Sequence, residues 1–233
     1  EMCIRDSSMN IIQNFKNIKD ELSSLGYNPK IVAVSKTFSI DHIRPLIEFG
    51  HRIFGENKVQ EAQKKWTKIK QDISDIELHL IGSLQRNKAD DAVKLFDYIH
   101  SLDSEKLVTA LIKSEKKLNL KRKYFIQINT GGEIQKSGID SNNLLDLLKF
   151  IDGQLDVVGL MCIPPFDQDP ENHFKNLKSL ADENNLSKLS MGMTADYVKA
   201  CKYNADYIRV GSKIFGARTV SYTHLRAHET QRN

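Results

Sequence analysis

Three groups of residues in this chain could do chemistry together. The first is Lys36, which ends the stretch IVAVSK at 31–36. A buried strand that finishes on an ammonium group carries a desolvation cost unless the amine is paired, solvated or chemically used. The second is Arg209, within YIRVGS. The third is a pair of glycine-containing turns, SMGMT and RVGSKIFG, which hold Ser190, Gly192, Gly211 and Ser212. Backbone N–H groups at such turns, where a helix starts, make a ready anion site, and the two serines add hydroxyl donors. Plainer readings exist for each. Lys36 could form a structural ion pair, for instance with Glu56. A carboxylate could answer Arg209, and serines at strand ends could be ordinary helix caps.

The elements that position these residues follow from the pattern of apolar residues. A helix is expected from Met9, over NIIQNFKNIKDELSSL. Strand-like and helix-like segments then alternate. The strand candidates are KIVAVSK, RIFGEN, ELHLIGSL, YIHSL, KYFIQIN, LDVVGLMCI, KLSMG and YIRVGS, with a helical stretch after nearly every one. Short apolar strands separated by helices of roughly 10–15 residues predict βαβ units and a parallel sheet. Eight such units predict a single (β/α)8 TIM barrel, an α/β fold, with an extra N-terminal helix. A doubly wound open sheet is the alternative, but no GxGxxG follows the first strand and no GxxxxGK[ST] occurs.

In a barrel the polar residues at the strand ends share one face, the catalytic one. They include Lys36, Asn57, Ser101, Asp103, Asn129, Pro164, Ser190, Arg209 and Ser212. Turn chemistry alone explains one or two such residues, whereas a run at every strand end points to a site. Alternation along strands puts Val32, Val34 and Lys36 on one side. It also puts Tyr207, Arg209 and Gly211 on one side, with Ile208 and Val210 facing the helices. A lysine able to form a Schiff base, a phosphate cup and an arginine for a ring nitrogen together fit pyridoxal 5′-phosphate (PLP).

Composition narrows the classes. With 40% hydrophobic and 27% charged residues, the chain reads as a soluble globular protein. No apolar run is long enough for a bilayer, and the N-terminus lacks the features of a signal peptide. Cys3, Cys162 and Cys201 show no CxxC spacing, which predicts a reducing, cytoplasmic location without disulfides. The histidines are scattered, so no protein-bound metal is expected. The net charge is +4, with lysine runs KKWTKIK and KSEKKLNLKRK. Acidic residues are interspersed and no aromatic platform accompanies the lysines, so solvated helix faces are favoured over nucleic-acid binding. Residues 1–8 and 220–233 match nothing in the rest of the pattern. They are read as adapter-derived or read-through tails and set aside, which leaves a barrel domain over 9–219.

The motifs AVSK, FGEN, H-x-IGSLQ-x-NK, QIN…KSG, GLM-x-IPP, LSMGM and IRVGS-x-IFGAR occur in that order. This ordered set, from about Lys30 to Arg218, resembles the pyridoxal phosphate homeostasis proteins, single barrels similar to the N-terminal domain of alanine racemase. The resemblance implies that Lys36 holds PLP as an aldimine and that Arg209 faces the pyridine nitrogen. It implies a phosphate held around Ser190, Gly192, Gly211 and Ser212, with Asn57, His79 and Met161 lining the cofactor. Lys136 matches another lysine of the family pattern. Two departures stand out: Arg86 in Gln85-Arg86-Asn87-Lys88, and Ser212 after Gly211, which retains the hydroxyl.

The resemblance further implies a monomeric protein of intracellular PLP homeostasis and supply, without strong catalysis of its own, and PLP-dependent apo-enzymes as recipients. A weak single-domain amino-acid racemase is the alternative. It needs a second acid/base opposite Lys36, for which Tyr207 and His79 are the candidates. A barrel enzyme using a Lys36 Schiff base without PLP would need a carboxylate near the imine, and none is evident.

Overall fold

The computed structural model describes residues 2–132 and 137–217, with side chains described from residue 8. The elements are α1 (Met2–Ser24), β1 (Lys30–Val34), α2 (Ile40–Glu48), β2 (Ile53–Glu56), α3 (Val59–Asp72), β3 (Glu77–Leu80), α4 (Ala89–Leu95), β4 (Tyr98–Leu102) and α5 (Glu105–Leu118). They continue as β5 (Lys123–Gln127), α6 (Leu144–Ile151), β6 (Asp156–Met161), α7 (Pro170–Glu183), β7 (Lys188–Met193), α8 (Tyr197–Cys201), β8 (Tyr207–Val210) and α9 (Ser212–Phe215). The strands pair in parallel in sequence order, and β8 closes on β1. The expected (β/α)8 barrel is the fold of this chain.

Local chemistry sets the helix ends. Ser39 accepts from the His42 N–H at the start of α2, and Ser104 accepts from the Leu107 N–H at the start of α5. Asp169 caps α7, with Pro170 in the first turn where its missing N–H costs nothing. The helix expected from Met9 extends back to Met2, because no proline or glycine interrupts MCIRDSS. Its apolar stripe of Ile11, Phe15, Ile18 and Leu22 is buried, and Asn14 Nδ2 donates to the Ile214 carbonyl of α9 at 3.1 Å.

The alternation of strand residues divides the core in two. Ile31, Ala33, Ile208 and Val210 face the helices and join the large outer core. Val32, Tyr98, Phe125, Met161 and Tyr207 form a separate cluster inside the barrel. The sides read for Val32, Tyr207, Ile208 and Val210 therefore hold. Among the described residues no helix is long and apolar enough to cross a membrane.

Glu56 belongs to the outer layer. Its Oε1 accepts from Lys65 Nζ at 2.8 Å, Ser35 Oγ at 2.7 Å and Trp66 Nε1 at 3.0 Å. A structural ion pair between Lys36 and Glu56 is thus replaced by one to Lys65, because Glu56 falls on the helix-facing side of β2.

One close approach limits the sheet. A Cβ on Gly159 of β6 would stand 1.8 Å from the Lys188 carbonyl oxygen of β7, so only glycine lets these strands pair. Gly159→Ala is expected to lower the stability by about 3 kcal/mol, at the upper end of overpacking costs. Urea denaturation of the two proteins checks this; unchanged midpoints would contradict it.

Candidate functional site

The C-terminal ends of the strands gather most of the residues singled out in the sequence. Lys36 follows β1, half-buried. The next residue, Thr37, has φ 69°, a left-handed conformation that is strained for a β-branched side chain. Its N–H donates to Glu61 Oε1 at 2.6 Å, which holds the turn. The β1–β8 pairing sets Val32 beside Arg209, and a Cβ on Gly211 would lie 3.2 Å from the Val34 carbonyl oxygen. Lys36 lies two residues beyond Val34, in the turn at the C-terminal end of β1.

The two glycine turns behave as backbone openings. Gly192 has φ 94°, at a register shift between β7 and β8. A Cβ there would meet the Ala200 Cβ at 2.7 Å. Gly211 immediately precedes α9, whose first N–H groups, like those of any helix, have no intrahelical partner. Asn57 contributes to a cavity of about 310 Å³ at the same face, with Gly82, Ser83, Gln127, Asn129 and Pro165. Asp103 is at this face too; burial lifts its carboxyl above the usual range, although a hydrogen bond from the Gly138 N–H opposes the shift.

Below this mouth lies a chain of polar groups that crosses the barrel interior. Arg209 is 3% exposed, and no carboxylate pairs with it among the described residues. Its Nη1 donates to Ser190 Oγ at 2.6 Å and its Nη2 to the Cys162 carbonyl at 2.8 Å. Ser190 Oγ is 2.9 Å from His100 Nδ1, and His100 Nε2 is 2.7 Å from His79 Nδ1. His79 Nε2 is 2.8 Å from Glu77 Oε1. Arginine can only donate and an ionised carboxylate can only accept. With both imidazoles neutral, as their burial favours, one assignment satisfies every contact: Ser190 O–H donates to His100, His100 Nε2–H to His79, and His79 Nε2–H to Glu77.

The electrostatics agree. Burial is the main cause lowering the affinity of both histidines for a second proton. For His79 the Glu77 carboxylate partly opposes this, and for His100 the charge of Arg209 adds to it. Burial also lowers the guanidinium of Arg209 below its usual value and pushes the Cys162 thiol up to about 12. At Glu77 burial works to raise the carboxyl, but the hydrogen bond from His79, with Lys30 and Lys123 nearby, brings it lower.

This geometry corrects one expected role. Ser190 was expected to donate to a phosphate, but its hydroxyl is fully buried between Arg209 and His100. It lies one strand layer below Gly192 on β7. His79 and Met161 are likewise fully buried beneath the mouth. His100 and Glu77 escaped the sequence reading, although the alternations E-x-H in β3 (Glu77, His79) and Y-x-H in the adjacent β4 (Tyr98, His100) carry a signal. Lys136 lies outside the described residues.

Neither candidate second acid/base opposes Lys36. Tyr207 donates to the Tyr98 hydroxyl at 3.2 Å and pairs in register with Lys30. Six residues of strand, roughly 20 Å, separate that level from Lys36. His79 has both ring nitrogens engaged and stacks on Tyr98 at 4.4 Å.

Comparison with known proteins agrees with the geometry. The family model described as alanine racemase, N-terminal domain, matches residues 7–219. A pyridoxal phosphate homeostasis protein from Aquifex aeolicus is 36% identical over 200 residues, 81% of this chain and 87% of that protein. One from Pasteurella multocida is 34% identical over 232 residues, 94% of this chain and all of that protein. The solved structure of PipY from Synechococcus elongatus with PLP bound has a TM-score of 0.80 at 32% identity, covering 88% of this chain and 100% of that one. An alanine racemase from Clostridium difficile shares the fold, with a TM-score of 0.70 at 15% identity over 91% of this chain and 58% of that one.

Neutral buried histidines make stability depend on pH. A histidine whose folded affinity for protons is depressed favours the folded state fully above its unfolded value of about 6.5, and this contribution is lost as pH falls below it. His51, buried on the outer layer and brought down to about 4, adds to the same window. Stability should therefore fall as pH drops from about 6.5 towards 4. At pH 6, 15N NMR of the imidazoles should show His79 and His100 neutral and protonated at Nε2. A doubly protonated ring on either would contradict the chain.

Proposed function

The chain belongs to the pyridoxal phosphate homeostasis proteins of the alanine racemase N-terminal domain family, and from that premise we propose that it binds PLP at the barrel mouth and serves in PLP homeostasis and supply. The observation that carries this reading is Arg209. A buried guanidinium without a carboxylate partner, at the head of a chain of neutral groups, suits the unprotonated pyridine nitrogen of PLP. The rest of the mouth fits as well. Lys36 supplies the amine for the cofactor's aldehyde. The backbone at Gly192, Gly211 and Ser212 would hold the phosphate, and Asn57 would line the cofactor. PLP supplies an electrophilic carbonyl and a conjugated ring.

The interior chain bears on what the bound cofactor could do. Arg209 donates hydrogen bonds and holds no transferable proton near pH 7. A ring nitrogen facing it stays unprotonated, which weakens the ring as an electron sink. His79, His100 and Ser190 hold Arg209 in place and bring no acid to the ring. With Tyr207 and His79 both turned away from Lys36, the arrangement favours holding PLP over racemisation. Delivery to PLP-dependent apo-enzymes by a cytoplasmic monomer completes the proposal.

Absorbance of the purified chain, with and without borohydride, tests it. Incubation with PLP should give a visible band that borohydride removes, and Lys36→Ala should lack it. A wild-type protein that stays colourless after PLP is added, or a Lys36→Ala protein with an unchanged band, would overturn the assignment.

A further inference from the structure

The opposite end of the barrel holds a cavity of about 550 Å³, with Lys30, Lys123, Lys188, Tyr98, Tyr207 and Asp206 in its wall. These residues sit at the N-terminal ends of their strands, a full strand length from Lys36. We propose that this floor cavity is a second anion site, for a multivalent oxyanion of the phosphate type.

The charge arrangement carries the inference. Three ammonium groups and one carboxylate border the cavity, and that carboxylate is already engaged. Asp206 Oδ2 accepts from the Leu189 N–H at 2.8 Å, and Oδ1 is 3.7 Å from Lys188 Nζ. Lys30 and Lys123 form no ion pair among the described residues. Glu77 lies near them but is bound to His79 at 2.8 Å. The surrounding helix C-termini carry partial negative charge, and lysines that merely offset it would turn outward to the carbonyls. Lys30 instead lies 5.5 Å from the Tyr207 ring centre and Lys123 5.6 Å from that of Tyr98. The two tyrosine rings are 5.6 Å apart, with their hydroxyls in contact at 3.2 Å. Lys30 and Lys123, exposed residues whose ammonium groups lie over these rings, thus border a pair of hydroxyls in a concave site. Lysine binds phosphate as a compact point charge, and two or three of them suit a dianion better than a single carboxylate.

The inference does not rest on PLP binding. Pyrophosphate titrated into the 15N-labelled full-length chain tests it through the backbone amides. Saturable shifts are expected at Lys123, Leu189 and Asp206 on the floor, with the same affinity in Lys36→Ala. The double variant Lys30→Gln/Lys123→Gln should bind at least about tenfold more weakly, since it removes two of the three ammonium groups that border the cavity. Removing two exposed lysines of α3, Lys64→Gln/Lys68→Gln, should leave the affinity unchanged. Shifts confined to Gly192, Gly211 and Ser212, no saturation at the floor, or equal weakening by both double variants would overturn the proposal.

Discussion

A guanidinium inside a closed barrel sets the terms for the rest of this structure. Burying a charge without an opposing charge is costly. Here the solution is a hydrogen-bonded chain, not a neighbouring carboxylate. Arg209 leans on Ser190 and the Cys162 carbonyl, and the chain runs through two neutral histidines to Glu77 near the far end of the barrel. With both imidazoles neutral and Glu77 able only to accept, every proton in between has one position. The two charges sit at opposite ends of a polarised file. The interior is therefore hydrogen-bonded in one continuous file from Arg209 to Glu77.

The mouth depends on the same strand geometry. Gly211 packs against Val34 at the end of β1, two residues before Lys36, while Arg209 lies beside Val32 a layer below. The strained turn at Thr37 and the left-handed Gly192 are the local exceptions to regular backbone, and both border the site. Outside the barrel, Glu56 with Lys65, Ser35 and Trp66 locks α3 onto the end of β1, which fixes where the lysine emerges.

Much of this was readable in the sequence, for a definite reason. Barrel order, the sides of β1 and β8, and the strand-end location of Lys36 and Arg209 follow from period-2 patterning along single strands. The direction of the Ser190 hydroxyl does not, because it depends on His100, ninety residues away in sequence. His100 and Glu77 went unread because each is an ordinary strand residue until β3, β4 and β7 close around a common axis. Glu56 read as a possible partner for Lys36 because both lie at strand ends, but a one-residue difference in phase puts them on opposite sides of the sheet. The Met9 start of α1 was set by where the apolar stripe begins, whereas helical backbone continues through polar residues.

The most direct test of the account is a crystal structure of the chain grown with PLP. The account predicts continuous density from Lys36 Nζ to the C4′ atom, the pyridine nitrogen within hydrogen-bond distance of Arg209, and the phosphate against Gly192, Gly211 and Ser212. PLP attached to a different lysine, or a ring nitrogen turned away from Arg209, would contradict it.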